Sequence, residues 1–146
     1  YDVGCAGKII KFEETEDKRY LITLKGISRF DLISEKINRK NFREAQVKWK
    51  NFSKDLQKND TKETFTNLKI SLKKYFKIKN IKVNFEVIDK CYDYNFVDQI
   101  TMICPLAFEE KQLLLETTSI SKRSNLLQSI IDGYASEENI SQIVKH

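Results

Sequence analysis

"YLITLKGISRFDLI", residues 20–33, decides how the rest of this chain is read. Its even positions are Tyr20, Ile22, Leu24, Gly26, Ser28, Phe30 and Leu32, and they carry the apolar side of a period-two pattern. The pattern predicts one long strand whose buried face keeps its parity through Gly26. Fourteen residues at strand rise span roughly 45 Å, whereas a 146-residue globule has a radius of gyration of about 15 Å. A strand this long must bend. Gly26 and Ser28, the two small residues on the predicted buried face, are where the sheet is expected to coil toward a barrel. The competing reading of Gly26 is an ordinary bulge in an open sheet.

Working outward, "CAGKIIKFEE" (residues 5–14) reads as the preceding strand, and "TEDKR" (15–19) as a short charged turn between the two. "FREAQVKWK" (42–50) reads as a third strand, with Ala45, Val47 and Trp49 on one parity. "SKDLQKNDTKE" (53–63) is polar, with no apolar cluster, and reads as a seam. The expected organisation is therefore a β-rich lobe over 1–58 and a helical lobe over 59–146.

From residue 61 the period becomes helical. Phe65, Leu68, Leu72, Tyr75 and Phe76 recur at three and four. A short element, "VNFEVIDKC", follows Asn80. Asp93 is placed to cap a helix with the face Phe96, Val97, Ile100, Ile103 and Cys104. Pro105, the only proline, ends it. Glu109 and Glu110 open the next helix at its positive end, with Leu113, Leu114 and Leu115 as its core edge. Ser119 is expected to cap a last helix carrying Leu126, Leu127, Ile130, Ile131 and Tyr134, with Gly133 near its end.

The bulk numbers exclude several classes. A hydrophobic fraction of 40% and a charged fraction of 32% describe a folded chain rather than a disordered one. No apolar run reaches the length of a membrane span. The net charge of +5 reads as a lysine-biased solvated surface. Its densest basic stretch, "LKISLKKYFKIKNIK" (68–82), has aromatic spacing that suits a helix core better than base stacking. Cys5, Cys91 and Cys104 are odd in number and far apart, and the single histidine is His146. No metal site is expected, and the cysteines read as reduced and mostly buried.

Three segments together resemble a known family. "GCAGKIIKFEETEDKRYLITLKGISRF" resembles the central β segment of the LON substrate-binding domain, the amino-terminal domain of Lon-type ATP-dependent proteases, through Gly4, Gly7, Ile9, Gly26, Arg29 and Phe30. "MICPLAFEEKQLLLE" resembles its helix–proline–helix joint through Pro105, Glu110, Lys111, Gln112, Leu114, Leu115 and Glu116. "SISKRSNLLQSII" resembles the helix after that joint, with Arg123, Leu126 and Leu127. The resemblance runs in order over nearly the whole chain and is closest to short bacterial proteins that carry the domain alone. It implies an α+β fold: a coiled, barrel-like antiparallel β lobe (a PUA-like pseudo-barrel) followed by an α-helical lobe. Three departures stand out. Lys18 occupies a turn position where the family offers glycine, so a different turn is expected. Ala107 and Phe108 replace a serine cap and a proline, removing a cap worth about 0.5–2 kcal/mol. The family's opening strands have no counterpart before Tyr1, which is not an initiating methionine. The chain is thus expected to be part of a longer protein, with a sheet edge that needs a partner such as a second copy.

No catalytic, cofactor-binding or metal-binding residue is expected, and no cofactor. No Gly-Lys-Ser/Thr occurs to cradle ATP phosphates, no segment resembles a Ser–Lys protease domain, and a terminal histidine cannot serve a triad. The resemblance implies a non-enzymatic, cytoplasmic module that binds unfolded or partner polypeptides, homo-oligomeric or not, with no membrane role. Candidate polypeptide-binding residues are Arg29, Phe30, Trp49 and Phe52. The alternative is nucleic-acid or acidic-surface binding through the lysine-rich helix 68–82, and nucleic acid is disfavoured.

Overall fold

The computed structural model describes residues 1–57, 64–91 and 95–143. The order of elements is β1 (Val3–Glu14), β2 (Tyr20–Ile37), β3 (Arg43–Lys48), a 3-10 segment (Lys50–Leu56), then α1 (Thr66–Ile78), α2 (Phe85–Lys90), α3 (Phe96–Ile103), α4 (Phe108–Glu116) and α5 (Ile120–Ile143). The fold is α+β, and the chain divides into two units, Tyr1–Lys58 and Asn59–His146.

In the first unit the three strands form one antiparallel sheet in the order β1-β2-β3. The strands keep their alternation but not its phase. Ala6 pairs with Ser28 and Gly7 with Gly26, so Ile27 is an extra residue on β2. Ile9 pairs with Leu24 and Lys11 with Thr23, so Ile10 is an extra residue on β1. The two bulges offset each other in register. Tyr20, Ile22, Leu24 and Gly26 share a face, as the pattern predicts. Past Ile27, however, it is Arg29 that continues this face, while Ser28 and Phe30 fall on the opposite one. This corrects the unbroken parity expected from the sequence. Gly26 is also exposed, has no positive φ, and a Cβ built on it would meet only the Cys5 sulfur at 3.6 Å. The irregularity in the ladder thus lies at the added residue beside the glycine.

The β1–β2 turn is closed by Lys18 N–H donating to the Thr15 carbonyl (2.9 Å) and Thr15 N–H donating to the Arg19 carbonyl (2.8 Å). Lys18 itself adopts φ 60°. The different turn expected for a lysine is not formed, and the residue takes the left-handed conformation at about 1 kcal/mol or more. Hydrogen bonds from Arg19 and Thr15 hold the Asp17 carboxyl below its usual range and tie the turn together.

The second unit is where the core sits. Phe65, Leu68, Leu72, Tyr75 and Phe76 are all buried, and they pack with Ile88, Phe96, Val97, Ile100, Cys104, Leu106, Leu114, Leu127 and Ile131. Ile103, placed on the core face by spacing, is instead exposed: Pro105 turns the chain away immediately after α3. Leu113 is likewise exposed, Leu115 half-buried, and Leu114 alone of the three fully buried. Asp93 lies outside the described residues. Gly133 does not end α5, which continues to Ile143. Ala107 offers no side-chain cap to α4, but Glu110 Oε2 accepts from the Ala107 N–H at 2.8 Å, half of a capping box. Glu110 Oε2 also accepts from the Tyr134 hydroxyl at 2.8 Å, which fastens the start of α4 to α5 and raises the phenol above its ordinary pKa.

Buried charge in this unit is matched. Lys69 Nζ donates to the carbonyls of Asp89 (3.0 Å) and Cys91 (2.6 Å), satisfying the end of α2. Arg123 binds Asp98 and donates to the Thr117 carbonyl, joining α5 to α3 and to the end of α4. Of the cysteines only Cys104 is buried, and burial pushes its thiol up to about 11. Cys5 is exposed and Cys91 half-buried, contrary to the reading of mostly buried thiols. Among the described residues no helix is long and apolar enough to cross a membrane.

Candidate functional site

The four candidate residues lie in the first unit, where the middle of β2 meets the segment after β3. The local logic starts at Gly4. It pairs directly with Phe30, and the Phe30 ring lies so close over it that a Cβ would come within 2.5 Å of the ring. Glycine here is a steric requirement of the ring's seat. Phe30 in turn meets Trp49 edge to face, with centroids 5.7 Å apart and planes at 73°. This T-shaped pairing suits the opposed charge of ring edge and face.

On the other face Arg29 is buried, with 6% of its surface exposed. Its guanidinium donates through Nε to Asp55 Oδ2 (2.8 Å) and through Nη2 to Asp55 Oδ1 (2.7 Å), a bidentate fork. The Arg29 backbone N–H donates to the same carboxylate at 3.1 Å. The guanidinium also stacks over the Phe52 ring, 4.6 Å from its centroid. Among the described residues of this unit Phe52 is the one large apolar side chain that is buried. Asn51 donates to Asp31 at 2.8 Å, a second tie between the 3-10 segment and β2.

The candidates therefore divide. Arg29 and Phe52 form an internal clamp that holds the 3-10 segment on the sheet. Phe30 is half-buried, and Trp49 keeps 43% of its surface exposed. Of the four, Phe30 and Trp49 thus keep exposed surface, and the clamp fixes the backbone from which they project. Sequence reasoning missed Asp55, because it lies in a polar stretch read as a seam; the structure makes Lys50–Leu56 a helical turn instead. The available signal was Phe52 three residues before an acid, close to Arg29 once the strands are paired.

The lysine-rich stretch 68–82 is partly consumed by the fold. Lys69 is buried under α2, and Lys73 pairs with Asp89 at 2.7 Å. Lys74, Lys77 and Lys82 remain exposed.

A profile of the ATP-dependent protease La (LON) substrate-binding domain matches residues 1–133. Among solved structures, the chain is similar to a Lon N-terminal domain protein from Xanthomonas campestris, with TM-score 0.58 and 14% identity over 88% of this chain and 68% of that one. It is also similar to the N-terminal domain of Mycobacterium avium complex Lon protease, with TM-score 0.66 and 14% identity over 90% of this chain and 70% of that one. These likenesses support the fold. No curated protein matches the chain in sequence.

Proposed function

The chain belongs to the LON substrate-binding domain family, and from that premise we propose that it is a non-catalytic, cytoplasmic module that binds unfolded or partner polypeptides through the Phe30–Trp49 pair. The observation that carries this reading is Trp49: a large aromatic left substantially exposed, braced edge-on by Phe30, on a backbone locked by the Arg29–Asp55 fork. An aromatic anchor on a rigid support keeps its contact area without losing much rotamer freedom on binding, which is how a few residues come to dominate an interface. An extended ligand can add main-chain hydrogen bonds along a sheet edge, with alternate side chains reaching the aromatic pair.

The test is fluorescence anisotropy of a labelled, permanently unfolded polypeptide such as reduced, carboxymethylated α-lactalbumin. Trp49→Ala should weaken binding by about tenfold or more, the loss of one aromatic hot spot. Phe108→Ser, at an exposed aromatic of the second unit, should leave it unchanged. Equal binding by the wild type and Trp49→Ala would refute the reading, and loss on Phe108→Ser alone would move the site to the helical unit. A steep fall of affinity for single-stranded nucleic acid with salt, abolished by Lys74→Glu/Lys77→Glu, would favour the alternative.

A further inference from the structure

We infer that the cavity between the start of α1 and the first turns of α5 is a binding site for a carboxylate group. It has a volume of about 130 Å³ and is lined by residues 65–68 and, from α5, by Ser121, Ser124, Asn125 and Gln128. At the volume of liquid water that is room for roughly four waters, or for a carboxylate on a short stem. The α5 residues are three and four positions apart, so one face of that helix forms the wall. The start of α1 is open for a local reason. Helix-capping side chains offer an oxygen to the first N–H groups, but the N-cap here is Phe65, in the left-handed conformation at φ 46°. Its ring is buried in the core and stacked on Phe96. The first bond of the helix runs from the Lys69 N–H to the Phe65 carbonyl at 2.9 Å. The N–H groups of Thr66, Asn67 and Leu68 are therefore left without an acceptor among the described residues.

Ser124 is an independent sign of a ligand. It is buried, with 8% of its surface exposed, and its hydroxyl has no hydrogen-bond partner among the described residues. A serine inside a helix commonly turns its hydroxyl back to the carbonyl four residues earlier. Ser129 and Ser136 of the same helix do so, to Asn125 at 3.1 Å and to Asp132 at 2.9 Å. Ser124 does not. Among the described residues no wholly enclosed side-chain oxygen or nitrogen lacks a partner, so the Ser124 hydroxyl opens onto the cavity that the residue lines. Charge then selects the ligand. α1 and α5 run the same way: the start of α1 lies beside Ser121 and Ser124, and further along the Tyr75 ring meets Tyr134 with centroids 6.4 Å apart. Both positive helix ends therefore lie at the cavity, each worth roughly half a unit charge. No charged side chain lines it among the described residues. Two partial positive charges and a set of neutral N–H and O–H donors match a singly charged carboxylate. A phosphate dianion is matched by lysine or arginine, and a cation would meet the wrong sign.

The test is a titration of the isotope-labelled 146-residue chain with sodium acetate, at constant ionic strength against sodium chloride, followed through its amide NMR spectrum. Saturable shifts of the Thr66, Asn67 and Leu68 amides are expected. Ser124→Ala, a substitution that a helix accepts, should raise the acetate dissociation constant about tenfold, as for one hydrogen bond to a charged acceptor. Ser124→Asp should abolish acetate binding, with the same three amides already shifted by the carboxylate it supplies. A tripeptide with a free C-terminal carboxylate separates the sources: binding at least as tight as acetate points to a polypeptide end, and weaker binding to a small free acid. Either supports the site. The amide of that tripeptide should not bind, and its binding would overturn the inference. So would the absence of saturable shifts beyond the chloride control, shifts with inorganic phosphate but not acetate, or equal acetate binding by the wild type and Ser124→Ala. Neither the site nor its test involves Trp49, so this inference and the polypeptide-binding reading can each fail while the other stands.

Discussion

The two units solve the same problem in opposite ways. The helical unit encloses most of its apolar side chains: Leu72, Val97, Leu127 and Ile131 have no exposed surface at all. The sheet unit encloses almost none. Among its described residues Phe52, Ser28 and Arg29 are the buried ones, and most of its large apolar side chains lie open, from Ile9 on β1 through Leu24 on β2 to Leu56 at the end of the 3-10 segment. The difference comes from what each element can cover. Five helices can surround one another, whereas three strands with one short 3-10 segment cover only the end of the sheet where Arg29 and Phe52 lie. The helical unit is thus held by nonpolar burial, and the sheet unit by its ladder and one buried ion pair among the described residues. An element that keeps its hydrophobic surface on display is the natural place for recognition.

The comparison can be broken by substitution, because the single tryptophan, Trp49, reports on the sheet unit while helical circular dichroism reports on the other. The largest effect is expected from Phe96→Ala, which empties the centre of the helical core beside Phe65. It should lower the stability seen by circular dichroism in urea by about 3–5 kcal/mol. Next comes Asp55→Ala, which leaves the Arg29 guanidinium buried without its fork. A loss of about 3 kcal/mol or somewhat more is expected, read by Trp49 fluorescence with the helical signal holding. Gly133→Ala should stabilise the helical unit by roughly 0.5–1 kcal/mol, since a Cβ there meets nothing within 4 Å and α5 runs straight through the position. A denaturation midpoint that fell would show that Gly133 has a packing role. The smallest effect belongs to Ile22→Thr. The exposed face of the β1–β2 ribbon should tolerate it within about 0.5 kcal/mol. A loss of about 2 kcal/mol, the size of a buried-core truncation, would mean that this face is covered within one chain, and the contrast between the units would collapse.

How much of this was legible depends on the range of the interactions involved. The α1 core positions could be read because a helix face is set by residues three and four apart, which the sequence displays directly. The three strands were readable for the same local reason. The side on which Phe30 falls was not, because it depends on one added residue, Ile27, whose presence as a bulge is decided by pairing with β1. Ser28 suits either face, so the alternation offered no warning. The role of Asp55 was hidden likewise: an acid in a polar stretch looks solvated until the strand 26 residues earlier is folded beside it. Aromatic residues near a cation were visible as candidates. Which of them face inward is a property of the tertiary fold, and the structure turned Phe52 in and left Trp49 out.

Ile27 and Ile10 carry a last implication. Because each is surplus to the pairing, removing either one would leave every other residue of the ribbon on its present side, and only the local twist would relax. Removing a paired neighbour such as Leu24 would exchange inside for outside along the rest of the strand. Length variation among relatives should therefore collect at these two positions, the spots where evolution can shorten the hairpin without rewriting it.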